Sequence, residues 1–80
     1  MHMRKMMQGV VFDVPSPSKY VVAVDLYNTT YRPAEVEYLS GVWVLTCDDE
    51  NGRPQCKGFY DRDQAIAMIA QAFRNVGLAP

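Results

Sequence analysis

The arrangement of this chain is set by the stretch Cys47-Asp48-Asp49-Glu50-Asn51-Gly52-Arg53-Pro54-Gln55-Cys56. Asn-Gly is the strongest short-range signal of a β-hairpin, because a type I′ turn needs a positive φ at both of its central residues. With Asn51 and Gly52 at the turn, Cys47 lies opposite Cys56. Pro54 then falls in a non-hydrogen-bonded pair, which suits a residue without an N–H. The stretch therefore predicts a hairpin with one defined register.

This register sorts the hairpin side chains into two apolar faces. Trp43 lies opposite Tyr60 on one face, which also carries Leu45 and both cysteines. Val44 lies opposite Phe59 on the other face. A single helix covers only one face of a sheet, so we expect a second copy, another protein or the N-terminal segment to cover the other. The sequence leaves open which face the helix covers.

The remaining segments predict further strands and one helix. Strands are expected at 10–14, 20–27, 42–48 and 55–60, and residues 33–39 fit a short helix or, as we favour, a strand. A helix at 62–76 follows the N-cap Asp61 and ends with a Schellman contact at Gly77 and Leu78. Its expected buried stripe is Ile66, Ile69, Ala70, Phe73 and Val76. We predict an α+β fold, an antiparallel β-sheet of three or four strands with one C-terminal α-helix packed on one face.

Composition predicts a small globular protein. Eighty residues make a single domain, 1–80. Hydrophobic residues are 49% of the chain and the net charge is −1, so nothing demands a polyanionic partner. We expect residues 1–9 to be flexible, with Met1-His2 a cloning remnant. No apolar run reaches the ~20 residues of a membrane span, and we expect a cytoplasmic protein with no membrane partner.

The two cysteines allow three interpretations. Cys47 and Cys56 are paired thiols, a cross-strand disulfide, or ligands of a zinc ion shared between two copies. A disulfide needs oxidising surroundings, and a structural zinc site wants four Cys or His ligands. One chain supplies only these two thiols and His2. We therefore favour thiols and expect no bound metal and no cofactor.

The sequence contains few of the residues and motifs that catalysis needs. The only histidine is His2, and no phosphate loop, dinucleotide glycine pattern or nucleophile elbow is present. We therefore expect no catalytic residues and no enzyme. Lys57-Gly58-Phe59 resembles the start of the RNA-recognition-motif signature, but Tyr60 and Asp61 depart from it, and nucleic acid is an unlikely partner.

The function expected from the sequence is protein interaction. The chain is predicted to be a non-catalytic interaction module, homo-oligomeric or bound to another protein. Its candidate surface consists of aromatic and apolar residues: Trp43, Leu45, Tyr60, Tyr27 and Tyr38. The alternative is a small-ligand- or nucleic-acid-binding domain that uses the exposed sheet aromatics.

Overall fold

The computed structural model describes residues 3–80, which form eight strands and one helix. In chain order these are β1 Met3–Met7, β2 Val10–Ser16, β3 Lys19–Val22, β4 Val24–Leu26, β5 Thr29–Tyr31, β6 Ala34–Leu39, β7 Val42–Asp48, β8 Pro54–Phe59 and α1 Arg62–Asn75. Six strands form an antiparallel sheet in the order β1-β2-β3-β6-β7-β8, and β4 and β5 form a separate two-stranded arm. The predicted α+β fold with a C-terminal helix is confirmed, but the predicted number of strands is too small.

The helix has the two caps that its sequence predicts. The Asp61 side chain accepts a hydrogen bond from the Asp63 backbone N–H at 3.0 Å, which satisfies one of the open donors of the first turn. At the other end the N–H of Leu78 donates to the Phe73 carbonyl at 2.8 Å, and Gly77 has a φ of 75°. These are the two features of a Schellman cap.

The helix packs on the sheet face that carries Trp43 and Leu45, which we call the inner face. Ile66, Ile69 and Ala70 are buried there as predicted, together with Ala65. The inner-face side chains buried beneath them are Val10, Phe12, Tyr20, Val22, Val36 and Leu45. The prediction for Val76 is wrong: this residue is 68% exposed, because the helix ends at Asn75.

The hairpin between β7 and β8 has a three-residue turn, so the predicted register is wrong by one residue. The N–H of Gly52 donates to the Asp49 carbonyl at 3.0 Å, and the N–H of Asp49 donates to the Arg53 carbonyl at 2.8 Å. Within this turn only Gly52 has a positive φ, 76°. This is a type I turn followed by a left-handed glycine, the usual three-residue hairpin loop.

The shifted register changes the partner of every β8 residue. Trp43 lies opposite Phe59 instead of Tyr60, and Cys56 lies opposite Thr46 instead of Cys47. Because successive strand residues point to opposite faces, Cys47 lies on the inner face and Cys56 on the other, which we call the outer face. The two thiols are free, and the predicted pairing between them is wrong. The shift brings Phe59 to the inner face, where it packs against the core.

Two other segments depart from the sequence analysis. The strand expected at 20–27 divides at the buried Ala23, whose N–H donates to the Val11 carbonyl at 2.9 Å, and its second half enters the arm. Met3–Met7 forms β1, where the sequence analysis predicts no strand. The segment 33–39 contains β6, the favoured alternative. Met1 and His2, interpreted above as a cloning remnant, lie outside the described residues.

The register predicts how the cysteines respond to oxidation. Thr46 and Cys56 form a non-hydrogen-bonded pair, whose Cα separation of ~4.5 Å permits a disulfide. A Thr46→Cys, Cys47→Ser variant, treated with diamide at micromolar concentration, should form an intramolecular disulfide, detected by mass spectrometry after alkylation. The wild-type monomer should keep both thiols. A 47–56 disulfide in the wild-type monomer would restore the two-residue turn and contradict the observed register.

Candidate interaction surface

An aromatic row runs along the inner face from the core to the surface. Phe12 meets Tyr20 edge-on with ring centroids 6.4 Å apart, and Tyr20 meets Trp43 in the same way at 6.0 Å. Trp43 then contacts Tyr38 with their ring centroids 5.2 Å apart. Such pairs add about 0.5–1.5 kcal/mol beyond the area that they bury. The row therefore holds Trp43 and Tyr38 in place at the edge of the core.

Local sequence explains why Tyr38 and Trp43 meet. Ser40 and Gly41 both have positive φ values, 51° and 89°, which makes their turn a two-residue type I′ turn. The pair that flanks such a turn is hydrogen-bonded, so the next pair, Tyr38 and Trp43, is not. Side chains approach most closely in a non-hydrogen-bonded pair.

Cations lie over two neighbouring rings. The Arg62 guanidinium carbon is 5.2 Å from the Tyr20 ring centroid, and Arg62 Nη1 donates to Tyr20 Oη at 2.8 Å. Lys57 Nζ lies 5.4 Å from the ring centroid of Phe59. Both contacts are within the range of cation–π attraction. The Arg62 contact connects the first turn of the helix to the aromatic row, whereas the Lys57 contact lies within β8.

We call four residues at the surface end of this row the aromatic patch: Tyr38 and Trp43, which are in contact, Phe59 opposite Trp43, and Tyr60, which follows Phe59 in the chain. Tyr38 is 47% exposed and Tyr60 is 90% exposed, while Trp43 and Phe59 are half-buried. An open groove of about 450 Å³ is lined by Pro17, Ser18, Tyr38 and Trp43.

The structure separates the other two residues of the predicted surface from this patch. Leu45 is 6% exposed because it lies beneath the helix, so it belongs to the core. Tyr27 lies at the tip of the arm and is 96% exposed. Its φ of 50° is uncommon for a bulky residue. Of the five residues predicted to form the surface, only Trp43, Tyr38 and Tyr60 lie in the aromatic patch.

A charged cluster that the sequence analysis missed connects the arm to the outer face. Arg4 Nε donates to Asp13 Oδ1 at 2.8 Å, and Arg4 Nη1 donates to Asp25 Oδ2, also at 2.8 Å. Arg32 Nη2 contacts Asp13 Oδ2 at 3.3 Å, and Thr30 donates to Asp25 at 2.6 Å. One sequence signal could have indicated this cluster. It is the presence of a single Asp within each of two apolar runs, Val10–Val14 and Val21–Leu26.

This cluster lowers the pKa of both carboxyl groups. The hydrogen bond from Arg4 is the main cause for Asp13, opposed in part by desolvation. For Asp25 the hydrogen bond from Thr30 acts first and that from Arg4 second. Opposite charges are balanced here, and Arg4, Asp25 and Arg32 are largely exposed. The cluster therefore positions the arm and adds little to stability.

Within residues 3–80, no group of three or more His, Cys, Asp or Glu residues is arranged to hold a metal ion. Cys47 lines an apolar groove with Met68 and Phe73 of the helix, while Cys56 Sγ lies 3.6 Å from Thr46 Oγ1. No helix in the described part of the chain is long and apolar enough to cross a membrane.

Comparison with protein-family models, with curated proteins and with solved structures finds no match for this chain.

The charged cluster predicts an acid-sensitive contribution to stability. Asp13 and Asp25 have folded-state pKa values below their ordinary 3.8. Their contribution is therefore fully present above about pH 4 and is lost as the pH falls through the folded-state pKa values. In urea titrations between pH 5 and pH 2, an Asp13→Asn variant should lose less unfolding free energy than the wild type does.

The matched control for this prediction is Asp48→Asn, a change at an exposed carboxylate of the hairpin. It should keep the wild-type dependence on pH. If Asp13→Asn and the wild type lose stability in parallel, the cluster does not contribute to folding in the way inferred.

Proposed function

We propose that this protein is a non-catalytic protein-interaction module that associates with a second copy of itself. The observation that carries the proposal is the aromatic patch. Tyr38 and Trp43 contact each other at 5.2 Å between ring centroids, half in the core and half in solvent. Tyr60, which follows Phe59 in the chain, is 90% exposed. Tyr and Trp held in this way supply large contact areas at low entropic cost, which is why they dominate protein interfaces.

The proposal is supported by what anchors the patch. Trp43 is held by Tyr20 on its buried side, and Tyr20 is held by Phe12 and Arg62. A preorganised aromatic side chain loses little rotamer freedom on binding, so more of its burial energy appears as affinity. Tyr60 adds apolar area at the point where β8 ends and the helix begins.

A second copy is the occupant that we favour for this surface. The patch borders β8, an edge strand whose backbone can extend a sheet. The alternative, stacking of a small ligand or a nucleobase on Tyr38 and Trp43, is favoured by the groove beside them. The emission of Trp43, the single tryptophan, distinguishes the two. It should change with protein concentration and stay constant on addition of oligonucleotides.

The proposed function predicts that Tyr60 contributes to self-association and Tyr27 does not. Tyr60→Ser should raise the dissociation constant of the dimer about tenfold, a typical effect for an aromatic interface residue. Tyr27→Ser is the matched control, because Tyr27 is just as exposed but lies on the arm. Light scattering and sedimentation equilibrium over micromolar to millimolar concentrations measure both. A strictly monomeric wild type at millimolar concentration would refute the proposal.

A further inference from the structure

The strand β8 leaves one edge of the six-stranded sheet open to solvent. Its residues are exposed except for the half-buried Phe59. Asp49 and Arg53 form a hydrogen-bonded pair next to the turn. Because pairs alternate along an antiparallel ladder, Lys57 bonds to β7, while the backbone groups of Cys56 and Gly58 point away from the sheet.

Pro54 fits this alternation. It lies opposite Asp48 in a non-hydrogen-bonded pair, so its missing N–H belongs on the solvent side of the edge. Its carbonyl still points outward beside the N–H and C=O groups of Cys56 and Gly58. The edge is thus an extended row of backbone donors and acceptors, with only small side chains along the residues that present them.

We propose, building on the self-association above, that two copies pair through β8 in antiparallel orientation around a two-fold axis at Cys56. The two sheets become one continuous sheet. Cys56 faces Cys56 of the second copy in a hydrogen-bonded pair, and the N–H of Gly58 donates to the carbonyl of Pro54 of the second copy. Such an isologous contact closes on itself and stops at the dimer.

The charges of the side chains favour this register over the two registers in which the axis is shifted by one residue. An axis at Lys57 would place two ammonium groups directly opposite each other, and an axis at Gln55 would place Lys57 opposite Arg53. Like charges directly opposite in a ladder are destabilising. With the axis at Cys56, Lys57 faces Gln55 and Arg53 faces Phe59 of the second copy.

The opposite edge of the sheet is less suited to self-pairing. Gln8 and Gly9 have φ values of 52° and 81° and form a two-residue turn, so Arg4 and Met6 are the β1 residues whose backbone groups point outward. A two-fold axis at Lys5 or at Arg4 would place two like charges directly opposite each other. A two-fold axis at Met6 would require the residues of the Gln8-Gly9 turn to pair with the strand of the second copy.

A charge-swap experiment tests the proposed axis. Cys56→Lys places like charges across the axis and should raise the dissociation constant about tenfold or more at low salt. Cys56→Glu should do the same, whereas the control Cys56→Ser should dimerise like the wild type. Mixing the Lys and Glu variants should restore dimers that contain one copy of each, as measured by native mass spectrometry. Circular dichroism establishes that each variant is folded.

Every outcome of this experiment decides the proposal. Restored mixed dimers support it. Variants that still dimerise alone, or mixtures that remain monomeric although Cys56→Ser dimerises, overturn the β8 interface and leave the proposed function standing on another surface. A wild type that remains monomeric contradicts both. Oligomers that grow beyond the dimer indicate β8 pairing with β1 of the next copy and overturn the two-fold axis.

A second experiment tests the register of the β8 pairing directly. In a Cys47→Ser, Cys56→Ser background, a Lys57→Cys chain mixed with a Gln55→Cys chain should form a disulfide-linked pair under diamide. This pair should form several times faster than links within either chain alone, because residues 57 and 55 face each other only when the axis lies at Cys56. Equal rates in the mixture and in the separate chains would contradict the register.

Discussion

The Asp49 side chain is the constraint on which much of this structure depends. Its Oδ1 atom accepts hydrogen bonds from the backbone N–H groups of Asn51 at 2.8 Å and of Arg53 at 2.9 Å. These bonds stabilise a turn of three residues instead of two, since an Asp at the first position favours a type I turn. One additional turn residue reverses the face of every β8 side chain relative to β7.

The consequences of this single residue extend from the core to the surface. Phe59 joins Trp43 on the inner face, where it packs against the core and completes the aromatic patch. Cys56 moves to the outer face, away from Cys47. Pro54 remains at a position where its lost N–H costs no ladder bond. The same turn thus determines which residues form the aromatic patch and which β8 residues direct their backbone N–H and C=O groups away from the sheet.

The sequence predicted those parts of the fold that depend on short-range interactions. The N-cap Asp61, the Schellman cap at Gly77 and the buried faces of Ile66 and Ile69 are read from residues a few positions apart, and the structure confirms them. The hairpin at Ser40 and Gly41 and the arm tip at Tyr27 and Asn28 escaped prediction. Their turns place non-glycine residues at positive φ, which strand pairing on both sides sustains against local preference.

The candidate site could be predicted only in part. Tyr38, Trp43 and Tyr60 were identified as exposed aromatics, but their proximity depends on two registers, one of which the Asn-Gly signal predicts wrongly. Leu45 was assigned to the surface because composition does not reveal which sheet face a helix covers. The cluster of Arg4, Asp13 and Asp25 joins residues 9 and 21 positions apart, and no local pattern specifies such pairs.

The sequence by itself determined the class of fold, the start and the caps of the helix, and the presence of a hairpin around residues 49–53. Each of these follows from backbone preferences and hydrogen bonds within a few residues. Only the tertiary structure decided the register of that hairpin, the face that receives the helix and the separation of the two cysteines. The physical reason is that both turns are locally acceptable at Asn51-Gly52. The Asp49 side chain supports the three-residue turn locally, and the burial of Phe59 against a core assembled from distant strands decides between the two turns.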